Sequence, residues 1–362
     1  MFITYKDSTP PNKPTPHEYK NKIKVVPYSK NFFYIKTGVV PIGLANPYIE
    51  NNLLHLRQIM KDLAEECMNT PKEYRQFQIP KSSGGFRTIS APEPETKALL
   101  IKIKLFFERD LHLLPTNHAY AYVPGRSARD AIVPHVRHKS VYYLKLDIKD
   151  FFTNCTKDFL LNQLKQLQTI DILHDLDSLT KIIDFSTLNG GLPQGSPASP
   201  ILTNLAMIPI DNYIAAYCHY NNMVYTRYAD DILISKQTDF IFTEVSKKIQ
   251  DFLAPTFQIN WKKRRYGTNK GRNWNLGLMV NKDNNITIGY RNKERFRAAI
   301  NNFFYDLTTG NKWSIVETQQ LQGLISYYSA VNKEMVENII EKAQAKYNLN
   351  LRLEFKKIIN NQ

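Results

Sequence analysis

The sequence predicts an α+β fold, and three observations predict it. Short runs rich in aromatic and β-branched residues, separated by turn chemistry, occur through the first two thirds of the chain. Three long helical patterns fill the end. The regular strand–helix alternation of a doubly wound nucleotide-binding sheet is missing. The 362 residues carry 48 Lys and Arg against 33 Asp and Glu, so 48 − 33 gives +15 with His neutral. Hydrophobic residues make up 43%, enough for a real core, which excludes a collagen-like or disordered chain. Three cysteines, Cys67, Cys155 and Cys218, are too few and odd in number for a disulfide scaffold. They read as core-filling thiols in a reducing cytoplasm. The charge points to a polyanion, nucleic acid first and an anionic membrane surface second. The membrane loses ground because no apolar run approaches the roughly 18 residues of a span. No secretory leader or amphipathic anchor helix stands out either.

Taken in order, residues 1–30 are rich in Pro, Lys and Asn and read as an irregular basic arm. Leu53, Leu54, Leu56, Ile59, Met60 and Leu63 fall near helical spacing and predict a helix over Pro47–Met68. Tyr74–Ile79 and Phe86–Ser90, joined through Ser82-Ser83-Gly84-Gly85, read as a β-hairpin. Lys97–Leu114 is helical, Tyr142–Ile148 is a strand, and Asp158–Leu167 is a helix. Ala198–Tyr220 is a mostly apolar helical segment, and Met223–Ser235 reads as strand, tight turn, strand. Arg291–Leu307, Ser314–Ala330 and Lys333–Tyr347 are the helices at the end.

Two places hold carboxylates where isolated acids do not belong. Asp147 ends the strand-like run Tyr142-Tyr143-Leu144-Lys145-Leu146. Asp230 and Asp231 sit at the turn of Tyr228-Ala229-Asp230-Asp231 with apolar strands on both sides. Either site alone reads as a solvated turn, where Asp is common. Both together in a basic chain point to a cation, because adjacent carboxylates repel unless one sits between them. Mg²⁺ prefers oxygen ligands, and a strand-end Asp beside a hairpin-tip pair could hold two ions about 3.5–4 Å apart. Between these acids lies Asn189-Gly190-Gly191-Leu192-Pro193-Gln194-Gly195-Ser196-Pro197-Ala198-Ser199-Pro200. Its glycines let the backbone approach a ligand and its prolines stiffen it. Gln194 could meet a nucleotide or a template base. Equally, the segment reads as a helix-entry loop capped by Ser196 or Ser199, with Pro in the first turn.

Leu-Lys-Leu-Asp-Ile-Lys-Asp-Phe-Phe around Asp147, then Gly-Leu-Pro-Gln-Gly-Ser-Pro-Ala-Ser-Pro, then Tyr-Ala-Asp-Asp, in that order, resembles the palm of reverse transcriptases. The wording is similar to the bacterial retron, group II intron and defence-associated enzymes. The resemblance implies a right-hand polymerase fold with fingers, a palm whose antiparallel sheet carries the carboxylates, and a helical thumb. Its divisions would be an N-terminal basic extension over 1–45, fingers over 46–140, palm over 141–290 with a helical connection at 158–190, and thumb over 291–362. It implies RNA-directed DNA synthesis with two Mg²⁺ ions, for which Mn²⁺ can substitute. Asp147 and Asp230 would be ligands, Asp231 would support the site, and the Ile148 carbonyl would be a further ligand.

Other positions follow from the same resemblance. Gln78-Ile79-Pro80-Lys81 through Gly84-Gly85-Phe86-Arg87 resembles the fingers hairpin, so Lys81 and Arg87 would hold the incoming triphosphate; two cations flanking a Gly turn also suit phosphate on their own chemistry. Phe152, five residues after Asp147, falls at the family's steric gate against a ribose 2′-hydroxyl, while Phe151 reads as core. Arg126, in the block His118–Ser127, would contact nucleic acid or form a structural ion pair. Lys262, Lys263, Arg264, Arg265, Lys270 and Arg272 form an acid-free basic stretch interleaved with Trp261, Tyr266 and Trp274. That pattern suits backbone neutralisation with stacking. Lys262 is placed with the nucleotide and Lys263 with nucleic acid, and either could protonate the departing pyrophosphate. Asn275–Asn281 resembles the primer-grip hairpin, and Lys293, Arg295 and Arg297 would track a duplex from the thumb.

The expected partners are an RNA template or noncoding RNA, the DNA product and deoxynucleoside triphosphates. A toxin or effector protein and a second copy of the chain are further candidates, and no membrane is expected. The expected setting is a bacterial cytoplasm, in a retron or anti-phage system. Alternatives are a defence enzyme with untemplated, protein-primed or short-repeat synthesis, a non-catalytic RNA-binding scaffold, and an RNA-dependent RNA polymerase. Phe152 and the Tyr-Ala-Asp-Asp wording weigh against the last of these.

Overall fold

The computed structural model describes residues 25–29, 32–35, 38–40, 53–80, 84–111, 115–167, 171–269, 273–275, 277–281 and 283–360. In chain order the elements begin with strands β1 (Val25–Ser29), β2 (Phe32–Ile35) and β3 (Gly38–Val40), then helix α1 (Leu53–Asn69). Strands β4 (Tyr74–Pro80) and β5 (Phe86–Pro92) lead to helices α2 (Pro94–Leu105) and α3 (Ala128–Arg137). Strand β6 (Tyr142–Asp147) precedes four helices: α4 (Lys157–Lys165), α5 (Leu176–Ser186), α6 (Ser199–Ala206) and α7 (Ile208–Tyr220). Strands β7 (Val224–Tyr228) and β8 (Asp231–Lys236) form a hairpin and are followed by helix α8 (Phe242–Leu253). Strands β9 (Arg265–Thr268), β10 (Asn273–Asn275), β11 (Leu278–Val280) and β12 (Ile286–Thr287) come next. The chain then runs through helices α9 (Gly289–Thr309), α10 (Ile315–Val331), α11 (Lys333–Tyr347) and α12 (Leu351–Asn360).

These elements sort into two compact units, each drawn from three stretches of chain. The first takes residues 1–122, 149–222 and 247–258; the second takes 123–148, 223–246 and 259–362.

In the first unit, β1, β2 and β3 form an antiparallel meander. The irregular arm expected over 1–30 therefore gives way to strand at Val25–Ser29, and residues 1–24 lie outside the described ones. Helix α1 buries Leu56, Met60, Leu63, Ala64 and Cys67, one stripe at helical spacing, and packs on α5. The hairpin β4–β5 has the expected antiparallel register, from Tyr74 opposite Pro92 to Pro80 opposite Phe86, and most of its side chains are exposed. The expected helix Lys97–Leu114 starts earlier and ends as one wider turn at Phe106–Asp110. The single helix expected over Ala198–Tyr220 is two, broken at Met207. Pro209 explains the break: it has no N–H to donate back and its ring crowds the preceding turn.

The second unit is organised around an antiparallel sheet of order β7-β8-β6-β9. Helix α3 packs against β7, and the small sheet β10-β11-β12 packs against α3. The shared core holds Ile132, Tyr143, Leu233, Trp274, Leu278 and Val280. Helices α9 to α12 close over a second core of Phe296, Ile300, Phe303, Phe304, Val336, Ile339 and Phe355. The expected terminal helices fall at Gly289–Thr309, Ile315–Val331 and Lys333–Tyr347, and α12 adds a fourth. Helix α10 is entered through a capping box between Ser314 and Glu317.

Candidate active site

The site begins with register. Strand β6 pairs with β8 so that Asp147 lies opposite Asp231, and Tyr228 of β7 also lies opposite Asp231. Ala229 and Asp230 are therefore the two central residues of a two-residue hairpin. Ala229 adopts φ +56°, which a tight hairpin needs at this position but which glycine accepts more readily. The turn is held from below. Arg227, fully buried, donates from Nη1 to the Ala229 carbonyl at 3.2 Å. The Ile148 N–H donates to the Asp230 carbonyl at 2.9 Å, and the Asn260 N–H donates to the Asp147 carbonyl at 2.8 Å. Neither of these two bonds uses the Ile148 carbonyl.

Three carboxylates thus share one end of the sheet, and two lysines answer them. Lys263 donates from Nζ to Asp147 Oδ1 at 2.8 Å, and Lys145 donates to Asp231 Oδ2 at 2.7 Å. Burial raises the Asp230 carboxyl above the usual range, and the neighbouring Asp231 and Asp147 charges push the same way. Burial also raises Asp231, with the Lys145 ammonium working against it. The hydrogen bond to Asp147 holds the Lys263 ammonium above its ordinary range.

The donors are all hard oxygens, which is the chemistry a Mg²⁺ site requires. Among the described residues no three His, Cys, Asp or Glu side chains converge closely enough to hold an ion. Two of the three aspartates are turned to lysines. The set fits divalent cations by its chemistry, and the lysines hold the carboxylates' charge in the metal-free arrangement.

Behind the hairpin runs a buried polar chain. The His135 ring contacts Ser235 Oγ through Nδ1 at 2.5 Å and Thr226 Oγ1 through Nε2 at 2.8 Å. Ser235 donates to Ser140 Oγ at 2.7 Å, and Ser140 meets His138 Nδ1 at 2.9 Å. A single direction satisfies every member: Thr226 donates to Nε2, Nδ1–H donates to Ser235, and Ser140 donates to His138, with His135 neutral.

The other expected residues divide between the two units. In the second unit, Lys262 is exposed, and Lys263 is the one that meets Asp147. Arg264 lies over the Phe242 ring at 4.9 Å and the Trp261 ring at 5.3 Å, and Arg265 is exposed. Trp274 does not offer a stacking face: it is 1% exposed and stacks on Tyr143 in the core. Tyr266 is enclosed between Phe242 and Tyr142. Trp261 alone of the three is exposed. Lys270 and Arg272 lie outside the described residues. Arg126 is half-buried, Lys293 half-buried and Arg295 exposed, while Arg297 makes two bonds to the Glu294 carboxylate.

In the first unit, Arg87 is exposed on β5, and Lys81 lies outside the described residues. Phe151 is buried against Phe257, as expected of core. Phe152 is half-buried between Phe151 and Tyr122. The glycine-rich loop approaches protein backbone on both sides. A Cβ on Gly191 would stand 2.1 Å from the Thr153 carbonyl oxygen, and one on Gly195 (φ +124°) would stand 2.6 Å from that of Ser90. The Leu192 N–H donates to the Phe152 carbonyl, and the Ser90 N–H donates to the Gln194 carbonyl. The Gln194 side chain is half-buried. Neither serine caps α6. Its N-cap is Ala198, without a side-chain cap bond; Ser199 donates instead to the Pro193 carbonyl and Ser196 accepts from the Ala198 N–H.

Sequence reasoning missed Lys145, Arg227 and His135. For Lys145 the signal was available: on a strand, residues two apart share a face, so Lys145 and Asp147 lie on the same side of β6.

The family model described as reverse transcriptase (RNA-dependent DNA polymerase) matches residues 79–290. Among curated relatives, the retron Ec83 reverse transcriptase of Escherichia coli is 29% identical over 74% of this chain and 86% of its own. The retron Ec73 reverse transcriptase of the same organism is 30% identical over 66% and 79%. The retron Mx65 reverse transcriptase of Myxococcus xanthus is 28% identical over 75% and 64%. Among solved structures, apo telomerase from Candida tropicalis aligns at TM-score 0.45 and 12% identity, over 79% of this chain and 60% of that one. Among the described residues no helix is long and apolar enough to cross a membrane. The ordered carboxylates on a shared sheet and a family match over more than half of the sequence lead to one conclusion: this chain belongs to the reverse transcriptase family, with that family's polymerase fold, and is an RNA-directed DNA polymerase of the retron type.

Proposed function

We propose that the protein extends a primer on a dedicated noncoding RNA by two-metal nucleotidyl transfer, in the bacterial cytoplasm and as part of an anti-phage system. The observation that carries the mechanism is the cluster of Asp147, Asp230 and Asp231 at one sheet end, answered by Lys145 and Lys263. Two divalent ions, when bound, lower the pKa of the primer 3′-hydroxyl and neutralise the pyrophosphate that leaves. Asp147 and Asp230 are the side chains that hold them, with the Ile148 carbonyl beside them and Asp231 in support. The 3′-oxygen forms its bond to the α-phosphorus as the bond to pyrophosphate breaks. Lys263, rather than Lys262, gives a proton from Nζ to the departing pyrophosphate, because its ammonium is already hydrogen-bonded at the carboxylates.

The remaining roles follow the family pattern. Lys81, Arg87 and Gln194 bind the incoming nucleotide, and Phe152 screens its sugar. Arg126, Arg264, Arg265, Lys270, Arg272, Lys293, Arg295 and Arg297 follow the nucleic-acid backbone. Fingers, palm and thumb would take residues 46–140, 141–290 and 291–362. A toxin or effector protein and a second copy of the chain are the protein partners of such a system. The test is incorporation of deoxynucleotides on a primed RNA template by a variant carrying both Asp230→Asn and Asp231→Asn. Loss of incorporation is expected, and retained incorporation would refute the assignment. Sequencing the nucleic acid that co-purifies with the protein tests the noncoding RNA.

A further inference from the structure

Three carboxylates face two lysines at this site, and the two lysines differ. Lys145 belongs to β6 and lies opposite Leu233, two positions along from the Asp147–Asp231 pair. It therefore reaches Asp231 diagonally across the strands, from the same face as Asp147. Its side chain is 17% exposed and that of Asp231 is 21% exposed. Lys263 ends a short 3₁₀ turn at Trp261–Lys263, and its side chain is 55% exposed while it pairs with Asp147. Leaving its partner has different consequences for each. Lys263 can turn its ammonium into water. Lys145 would leave a charge stranded between sheet side chains, a situation a folded protein resists.

We propose that Lys145 is a positioning residue that keeps Asp231 as the fixed anion of a half-buried ion pair, so that Asp147 and Asp230 alone are the aspartates that hold metal. When cations bind, Lys263 gives up Asp147 and becomes free to serve the leaving group, while Lys145 stays where it is. Asp231 then acts through its charge, balancing Lys145 beneath the hairpin tip. The inference rests on the metal-binding reading above and divides its labour between residues.

The experiment is Mn²⁺ binding to the full chain without nucleic acid, read from the electron paramagnetic resonance signal of the free ion. Asp231→Asn leaves the Lys145 ammonium uncompensated and is expected to weaken binding on the order of tenfold by charge repulsion at short range. Lys145→Met releases Asp231 toward the ion and is expected to tighten binding by a comparable factor. The double variant K145M/D231N, which buries no unpaired charge, is expected to bind within about threefold of the native chain. If the double variant binds as weakly as Asp230→Asn, Asp231 is itself a ligand and the inference falls. It falls equally if Lys145→Met binds no tighter than the native chain. Should Lys145→Met not fold, Lys145→Gln serves in its place, and the double variant alone still decides. A native chain that binds no Mn²⁺ at millimolar concentration would instead refute the metal-binding reading itself.

Discussion

His135 gives the metal-free fold a measurable dependence on pH. Its ring is fully buried behind the Ala229–Asp230 hairpin, and burial lowers its pKa from 6.5 to about 3, with His138 adding a smaller push the same way. The folded value lies below the unfolded one, so the unfolded chain binds the extra proton. Stability from this group is therefore complete above about pH 7 and is lost as pH falls through 6.5 toward 3. At pH 5 the unfolded ring is almost wholly protonated and the folded ring almost wholly neutral. The loss between pH 7 and pH 5 comes to about 2 kcal/mol. Urea unfolding across that range, followed by tryptophan fluorescence, reads it out. Trp274 is suited to the purpose, since it stacks on Tyr143, which itself lies 5.9 Å from the His135 ring. The chain has eight histidines, so the comparison is with His135→Gln, in which the other seven contribute unchanged. The native chain should lose about 2 kcal/mol more than the variant on going from pH 7 to 5. Equal pH slopes for the two proteins, or an imidazole resonance of His135 titrating near 6.5, would refute the reasoning.

Three further outcomes follow from the site and its supports. Asp230→Asn should abolish nucleotide incorporation, yet raise the melting temperature in chelator. Its carboxyl is raised by burial and acidic neighbours, so the ionised form costs stability at every pH above the ordinary carboxylate range, and the amide removes that cost, on the order of 1 kcal/mol. Gly191→Ala forces a Cβ against the Thr153 carbonyl oxygen and should lower stability by about 1–3 kcal/mol in thermal melts, as overpacking against backbone does. Phe152→Ala should raise the use of ribonucleotides relative to deoxynucleotides in primer extension, and an unchanged sugar preference would remove the gate from Phe152.

Much of the second unit was legible because its signals are local. The strand before Asp147 shows β-branched and aromatic residues, and Tyr-Ala-Asp-Asp between two apolar runs reads directly as a hairpin. The helix α8, by contrast, is strongly amphipathic and drew no expectation, although Val245, Ile249 and Leu253 lie at a spacing of four. Ala198–Tyr220 misled because its continuous hydrophobicity concealed the effect of one proline. Trp274 misled for the opposite reason. Its basic neighbours suggested a nucleic-acid face, but side-chain chemistry along a sequence does not say which side of a strand meets the core. Lys145 was passed over because a lysine in a strand usually points to solvent, and only the pairing register places it against Asp231. The glycines of the Gln194 loop were read as letting the backbone come close to a ligand. What they approach is the chain's own backbone, a long-range fact that no local pattern encodes.

Because each unit is assembled from three separated stretches, synthesis cannot complete them one after the other. A ribosome must deliver residue 258 before the first unit has all of its chain, and by then β6, β7 and β8 of the second have already emerged. Both must remain partly open together, with strands waiting for partners made much later, which favours slow folding and exposure to misassembly. A cut between residues 122 and 123 would take part of the first unit away and leave its other two stretches, 149–222 and 247–258, threaded through the second. Dissecting this polymerase into independently stable halves would therefore require rewiring the chain, not merely dividing it.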